Sequence, residues 1–308
     1  MKDLLIINPV YKELIWGGKK LRTFFGFDIP SDKTGECWAI SGHKNGDCTI
    51  LNGIYQGKTL SSVFFSNRNL FNNSSSLDFP LLIKIIDSNK ETSVQVHPND
   101  SLAIKSNDLG KTECWYILDA AIDSYIIFGH NALSKSQFEM MINENRWNDL
   151  LIKKRVKKGD FIYVPAGTLH AMGAGILVLE TQTSSNITYR LYDYDRVDEN
   201  GLKRTLHLND AIEACIIPHK EPILDNLVEN YQNATIKTFI SNNFFTVRKI
   251  DISGDFNLAV DTYLLVTILE GTGKILNYSL KKGMSFIIPS TFDNILISGN
   301  LTLMISSV

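Results

Sequence analysis

The sequence has few cysteines and almost no excess of positive or negative charge, and each of these features excludes some classes of protein. Four cysteines occur among 308 residues, and the formal net charge is -2. The cysteines have no C-x-x-C spacing and are too sparse for a disulfide framework, so we interpret them as reduced thiols of a cytoplasmic protein. Without a basic field, neither nucleic acid nor an anionic membrane is an expected partner. A small anionic ligand needs only two or three local cations and stays compatible.

A long hydrophobic run is also missing at the start of the chain. The opening segment MKDLLIINPVY carries an acid at Asp3 and only four consecutive apolar residues. That run is too short for a signal-peptide core or a membrane-spanning helix. We therefore expect neither secretion nor membrane insertion.

Short strand-like segments bounded by Gly, Asn and Asp make up most of what is present. Their lengths of about five or six residues are typical of β-strands and predict a mainly β fold with short helical additions. The strand candidates are ECWAIS, CTILNG, FPLLIKIID, SVQVHP, ECWYIL, SYIIFG and DFIYVPAG. Helices are predicted over 134–151 and from Leu208.

An internal repeat predicts two related small β-barrels. Residues 157–179 and 281–305 both run Lys-Lys-Gly, strand, Pro, turn, strand, Gly, strand, and CWYILDA and LVTILEG precede them in the same order. Unrelated hairpins could also look alike, but the matching order of both blocks favours a true repeat. We expect residues 1–232 to form a catalytic barrel with helical insertions and residues 233–308 a smaller barrel without metal ligands.

The second copy lacks the polar residues of the first. His170 follows Pro165 by five residues, whereas Asn294 follows Pro289 by five. When the two repeats are aligned, Leu264 occupies the position of Glu113. The second barrel is therefore interpreted as a scaffold.

The stretch TSVQVHPND raises the question of which face of a strand looks inward. Strand alternation places Ser93, Gln95 and His97 on one face and Val94 and Val96 on the other. A lone histidine in a strand is usually structural. However, Glu113 stands in an otherwise apolar strand, where a buried acid needs a partner, and His170 begins another strand. We therefore predict that the polar face looks inward.

These three β segments supply a candidate metal site. His97, Glu113 and His170 offer nitrogen and oxygen ligands, with Gln95 as a weak neutral fourth. Such a set suits zinc, while manganese, cobalt and iron remain compatible, and a buried Glu–His pair without metal is the alternative. Farther along, the strand of Arg190 could aim a guanidinium at an oxyanion or expose it on the barrel exterior.

The segments SVQVHP, KTECWYIL and VPAGTLHAMGAGILVLETQTSSNITYRLYDYDR, with FPLLIKIID and IWGGKKL, resemble the type I mannose-6-phosphate isomerases in their short bacterial form. The resemblance implies a zinc-dependent cupin (jelly-roll) fold that interconverts mannose 6-phosphate and fructose 6-phosphate through a cis-enediol. It implies one zinc ion per chain, held by Gln95, His97, Glu113 and His170.

The resemblance also implies the roles of further residues. Arg190 falls on the family's active-site arginine, Lys111 and Ser93 match pocket positions, and Arg196 sits where longer members carry a phosphate-binding lysine. Lys111 is a candidate base, and a metal-activated hydroxide is its competitor. Asn186 departs from the family, which commonly has an acid there, so we do not expect that acid's role as a base or as an electrostatic guide in this protein.

Two other functions remain open from the sequence. A cupin dioxygenase could bind iron through His97, Glu113 and His170, but gives no reason for Gln95 or Arg190. A non-catalytic sugar-phosphate-binding module could keep the same pocket. The expected partner is a small sugar phosphate, and both a monomer and a homodimer are compatible with the sequence.

Overall fold

β-Strands dominate the computed structural model, which describes residues 2–224 and 226–308. The strands are β1 Leu5–Asn8, β2 Val10–Gly18, β3 Thr34–Ser41, β4 Thr49–Ile50, β5 Leu81–Ser88, β6 Val94–Val96, β7 Glu113–Ala120, β8 Tyr125–His130, β9 Leu151–Arg155, β10 Phe161–Val164, β11 His170–Met172, β12 Ile176–Thr183, β13 Tyr189–Tyr192, β14 Leu227–Asn230, β15 Ala234–Ser241, β16 Thr246–Ala259, β17 Leu264–Ile275, β18 Tyr278–Lys281, β19 Ser285–Ile288 and β20 Asn294–Ser307. The helices are α1 Lys20–Phe25, α2 Leu60–Ser66, α3 Asp100–Ala103, α4 Lys135–Asn143, α5 Trp147–Leu150 and α6 Leu208–Ala214. The mainly β prediction is confirmed.

The helix predicted over 134–151 is shorter than expected. Ser134 caps α4 by accepting a hydrogen bond from the backbone N–H of Gln137, but α4 ends at Asn143. Asn145 then adopts a left-handed conformation with φ of 55°, which an asparagine tolerates and an α-helix cannot continue through. The single turn α5 follows, and Leu151 already begins β9.

The strands form three sheets. A six-stranded sheet has the order β10-β7-β12-β5-β3-β2, and a five-stranded sheet has the order β13-β6-β11-β8-β9. The third sheet has nine strands in the order β14-β15-β16-β20-β17-β19-β1-β4, with β18 beside β17. Within the described residues, these sheets are open paths of strands and not closed barrels.

Alternate residues of the six-stranded sheet enter two different cores. Trp115 and Ile117 of β7 pack in the core shared with Phe128 and Met172 of the five-stranded sheet. Their neighbour Cys114 packs in the core shared with the nine-stranded sheet. The six-stranded sheet is therefore the middle layer, as the period of two along each strand dictates.

Helices cover the outer face of the five-stranded sheet. Val94 and Val96 of β6 are fully buried against Phe138 and Met141 of α4 and Ala211 of α6. The polar residues of β6 consequently face the six-stranded sheet. This confirms the inward orientation predicted from TSVQVHPND.

The internal repeat is visible in the strand pairing. β7 pairs with β10 and β12, and β17 pairs in the same antiparallel manner with β19 and β20. Glu113 lies opposite Val164, and its counterpart Leu264 lies opposite Ile288. The N-terminal strand β1 joins the nine-stranded sheet beside β19, so both ends of the chain contribute to that sheet. The domain division at residue 232 stays a prediction.

In the part of the chain that the structure describes, no helix is long and apolar enough to cross a membrane. The four cysteines are free thiols, and three of them are buried.

Candidate active site

A cavity of about 500 Å³ lies between the six- and five-stranded sheets. Side chains from both sheets line it, because the inner faces of β2, β3, β5, β7 and β12 look toward those of β6, β11 and β13. The charged and polar lining includes Lys12, Glu36, Lys84, Gln95, Lys111, Glu180, Arg190 and Arg204. The cavity is thus far more polar than the cores around it.

Three buried ligand-type side chains meet behind Lys111 and Gln95, two residues that line this cavity. One ligand atom from each of His97, Glu113 and His170 lies within 4.8 Å of the others. His97 Nε2 is 3.3 Å from Glu113 Oε2, and His170 Nε2 is 3.5 Å from Glu113 Oε1. Each residue is about 1% exposed, so the carboxylate has its partners only within this group and its neighbours. The structure brings the three predicted ligands together.

The donor set fits a divalent cation. His170 donates from Nδ1 to the carbonyl oxygen of Thr168 at 2.9 Å, and the unprotonated Nε2 faces Glu113. A lone pair and a carboxylate oxygen thus face each other across 3.5 Å, an arrangement that a cation between them stabilises. Buried nitrogen and carboxylate ligands without thiolate suit zinc and related metals.

The protonation states of the three ligands also suit a metal. Burial, followed by the charge of Lys111, lowers the pKa of His97 to about 3. Burial lowers the pKa of His170 as well. Burial alone would raise the pKa of Glu113, but the charge of Lys111 holds it well below its usual range. At neutral pH both imidazoles are therefore neutral and the carboxyl group is ionised, which metal binding requires.

Lys111 lies between these ligands and the cavity. Its Nζ is 3.0 Å from His97 Nε2 and 3.0 Å from Glu113 Oε2, and the residue is 5% exposed. A dication held by the same atoms would repel an ammonium group at this distance.

Gln95, Ser93 and Arg190 form the neighbouring wall. Gln95 Nε2 is 3.4 Å from His170 Nε2, and its Oε1 accepts a hydrogen bond from Ser93 at 3.2 Å. A half-turn of the amide would present Oε1 to the ligand group instead. Arg190 is the cross-strand neighbour of Gln95 and donates from Nε to Ser93 Oγ at 3.3 Å. Arg190 thus faces the cavity rather than the outer face of its sheet.

Two further positions from the sequence analysis differ in placement. Asn186 lines the cavity, so the position of the missing family acid is at the site. Arg196 is absent from the described lining of the cavity. Its guanidinium instead binds the side chain of Asp193 and the carbonyl oxygen of Glu91.

A row of cross-strand neighbours completes the opposite wall, and most of it escaped the sequence analysis. Trp115, Glu180, Lys84 and Trp38 lie side by side on β7, β12, β5 and β3. Lys84 Nζ is 3.2 Å from Glu180 Oε1, and Trp115 donates to Glu180 Oε2 at 3.0 Å. A lysine inside the apolar run LLIKII is the signal that could have found this pair, since a buried charge needs a partner.

Two family models match the chain. One describes the catalytic domain of type I phosphomannose isomerase and matches residues 4–139, and the other describes the cupin domain of mannose-6-phosphate isomerase and matches residues 235–308. The chain is 45% identical to mannose-6-phosphate isomerase ManA of Bacillus subtilis, over 92% of each protein. It is 44% identical to mannose-6-phosphate isomerase of Streptococcus mutans, over 99% of this chain and 98% of that protein. The chain belongs to the type I phosphomannose isomerase family.

Solved structures agree with this membership. The crystal structure of mannose 6-phosphate isomerase from Bacillus subtilis superposes with a TM-score of 0.97 at 45% identity, over 100% of both chains. A phosphomannose isomerase variant from Salmonella typhimurium shares the fold with a TM-score of 0.77 at 14% identity, over 99% of both chains. As a type I phosphomannose isomerase, the chain is an aldose–ketose isomerase with a buried candidate metal site.

Proposed function

We propose that the chain interconverts mannose 6-phosphate and fructose 6-phosphate with one zinc ion held by Gln95, His97, Glu113 and His170. The observation that carries the proposal is the buried His97–Glu113–His170 group beneath a polar cavity that also holds Lys111 and Arg190. The Streptococcus mutans relative, which is 44% identical over 98% of its length, is named mannose-6-phosphate isomerase. The free cysteine thiols fit a reducing, cytoplasmic location.

The reaction moves a proton between C2 of the aldose and C1 of the ketose through a cis-enediol. The carbon acid is weak, so catalysis depends on stabilising the negative charge that develops on the enediolate oxygen. Arg190 is suited to that task because its guanidinium keeps its charge and reaches into the cavity beside Gln95. Ser93 holds the guanidinium Nε and fixes its direction.

Lys111 is suited to the proton transfer. Its Nζ lies at the boundary between the ligand group and the cavity, where it can reach a bound sugar. A base in this position can serve both C1 and C2 on one face of the enediol. When bound, zinc would supply Lewis acidity to the sugar oxygens.

A coupled assay for fructose 6-phosphate, combined with metal analysis of the purified protein, tests the proposal. We expect turnover of mannose 6-phosphate, about one zinc per chain, and loss of activity on chelation with recovery on adding zinc. A fully active protein after exhaustive metal removal would exclude the zinc requirement. Oxygen uptake with bound iron would instead indicate a dioxygenase, and sugar-phosphate binding without turnover would indicate a binding module.

A further inference from the structure

Residues 193–204 form a hairpin that carries one arginine to the cavity and another away from it. Val197 and Lys203 pair across the hairpin, and Arg204 lines the cavity. Arg190 donates from Nη1 to the carbonyl oxygen of Thr205 at 2.7 Å, so the end of the hairpin runs alongside Arg190. Arg190 and Arg204 therefore both line the same cavity.

Asp193 fixes Arg204 in this position. Arg204 donates from Nε to Asp193 Oδ2 at 2.8 Å and from Nη2 to Asp193 Oδ1 at 2.5 Å. Such a two-point contact holds the plane of the guanidinium. In the described part of the chain, no hydrogen bond leaves Nη1 of Arg204, and its side chain is 23% exposed. Arg204 therefore keeps donors for a ligand.

Arg196 is committed to the protein by comparison. Its three donor nitrogens bind the carbonyl oxygen of Asp193 (3.2 Å), the carboxylate of Asp193 and the carbonyl oxygen of Glu91. The guanidinium also lies over the ring of Tyr194. Arg196 thus braces the hairpin against the residues before β6.

The charges around Asp193 do not balance. Arg190, Arg196 and Arg204 carry three positive charges against the single negative charge of Asp193, which leaves a formal excess of two. Burial, followed by the charge of Arg204, lowers the pKa of Arg190, as expected for like charges held together. A bound dianion would relieve this repulsion, and a phosphate monoester carries about two negative charges near neutral pH.

We propose that Arg204, held by Asp193, binds the phosphate group of the substrate, while Arg196 only braces the hairpin. This inference rests on the proposed function, because it takes a sugar phosphate as the substrate. It places the phosphate at the Arg204 end of the cavity and leaves Lys111 and Arg190 to the reacting carbons. Lys12, whose Nζ is bound to the carbonyl oxygen of Asn45, is the competing cation of the same cavity.

The test compares Arg204→Gln and Arg204→Lys with Lys203→Gln, a matched control on the same hairpin. Lys203 is 62% exposed and pairs with Asp195 outside the cavity. With the metal-loaded enzyme, Arg204→Gln should raise KM for mannose 6-phosphate by about 10-fold or more, the effect of a lost bond to a charged group, with a smaller change in kcat. Arg204→Lys should raise KM less, and Lys203→Gln should leave it unchanged.

Inorganic phosphate, as a competitive inhibitor and in direct calorimetric titration, provides a readout that needs no sugar. Its affinity should fall about 10-fold or more in Arg204→Gln and stay unchanged in Lys203→Gln. The assignment would be overturned if the phosphate affinity of Arg204→Gln were unchanged. It would also be overturned if the loss of about 10-fold occurred in Lys12→Gln and not in Arg204→Gln. If the wild type fails to isomerise mannose 6-phosphate, the proposed function fails, and the calorimetric comparison still decides the role of Arg204. Should Arg204→Gln not fold, Arg204→Lys decides by the same two readouts.

Discussion

Removing Lys84 or Glu180 from their buried ion pair should reduce the free energy of unfolding by different amounts. The two side chains are 4% and 3% exposed, so neither charge can be solvated by water after its partner is lost. Lys84→Met leaves Glu180 beside the carboxylates of Glu36 and Glu113. We expect a loss of about 3–5 kcal/mol in the free energy of unfolding, the range for breaking a buried ion pair.

Glu180→Gln should cost less than Lys84→Met. The glutamine keeps an acceptor for Trp115, and Lys84 keeps the carboxylate of Glu36 at 3.9 Å. We expect roughly 1–3 kcal/mol, the cost of an imperfectly satisfied buried group. In the double variant Lys84→Met/Glu180→Gln, both charges are gone, so the total should fall short of the sum by roughly 1–3 kcal/mol.

The cost of Lys84→Met should also depend on pH. Burial and the charge of Glu113 raise the pKa of Glu180, and Lys84 opposes that rise. Without Lys84, the pKa of Glu180 in the folded protein rises further above the unfolded value of roughly 4.3. Between these two pKa values the folded protein therefore binds more protons than the unfolded protein. Stability then falls as pH rises, so the difference in unfolding free energy between Lys84→Met and the wild type should widen as the pH rises above roughly 4.3.

Urea denaturation followed by tryptophan fluorescence measures these differences, since Trp38 and Trp115 flank the pair. Lys154→Met is the matched control, because the Lys154–Glu221 pair is 46% and 60% exposed and solvent screens it. Additive effects in the double variant would refute the reasoning. So would a Lys84→Met cost that is no larger than that of the control and does not vary with pH.

Three further changes separate the roles at the site. Arg190→Ala should reduce turnover by roughly 10²- to 10³-fold, the range for a lost oxyanion donor. Its zinc content should stay near one per chain, because Arg190 does not touch the ligand group. Normal turnover would remove Arg190 from the mechanism. His97→Ala should lose zinc and activity together in metal analysis and the isomerase assay, and a variant that keeps its zinc would contradict the ligand assignment. Lys111→Met should keep zinc, since it removes a cation from the ligands, but lose turnover; an active variant would point to another base.

The orientation of β6 could be predicted from the sequence because it depends on a local rule. Alternation fixes which residues share a face, and the acid at Glu113 together with His170 decides which face is buried. The structure agrees, with Val94 and Val96 under the helices and His97 beside Glu113. The proximity of the three ligands follows once their strands face one another.

The Lys84–Glu180 pair could not be predicted in the same way. It depends on β12 lying between β7 and β5, and the order of strands in a sheet is not a local property of the chain. Arg204 poses a different problem. Its hairpin reverses at residues 198–201, where Asn200-Gly201 is a strong turn signal and Gly201 has a φ of 77°. The preceding turn at Tyr194 and Asp195, which directs the hairpin toward the cavity, has two left-handed residues that are not glycine and therefore no strong sequence signal.

The two repeats contact each other through equivalent positions. Cys114 lies opposite Thr181, and their counterparts Leu265 and Ser306 lie opposite each other in the second repeat. Thr181 Oγ1 and Ser306 Oγ are 2.8 Å apart in a hydrogen bond between the repeats. Contacts between equivalent residues are what a two-fold axis between related units produces.

This pseudo-symmetry explains how one repeat can act as a scaffold. Cys114 and Leu265 both face the shared core, so the interface requires a buried, weakly polar or apolar side chain at this position in each repeat. The opposite faces differ: Glu113 belongs to the candidate metal site, whereas Leu264 packs in an apolar core with Val266. A buried charge without its partners is costly, and an apolar filling stabilises the second copy instead. The second repeat, whose core is apolar, therefore packs against one face of the six-stranded sheet, and the polar site lies on the other face.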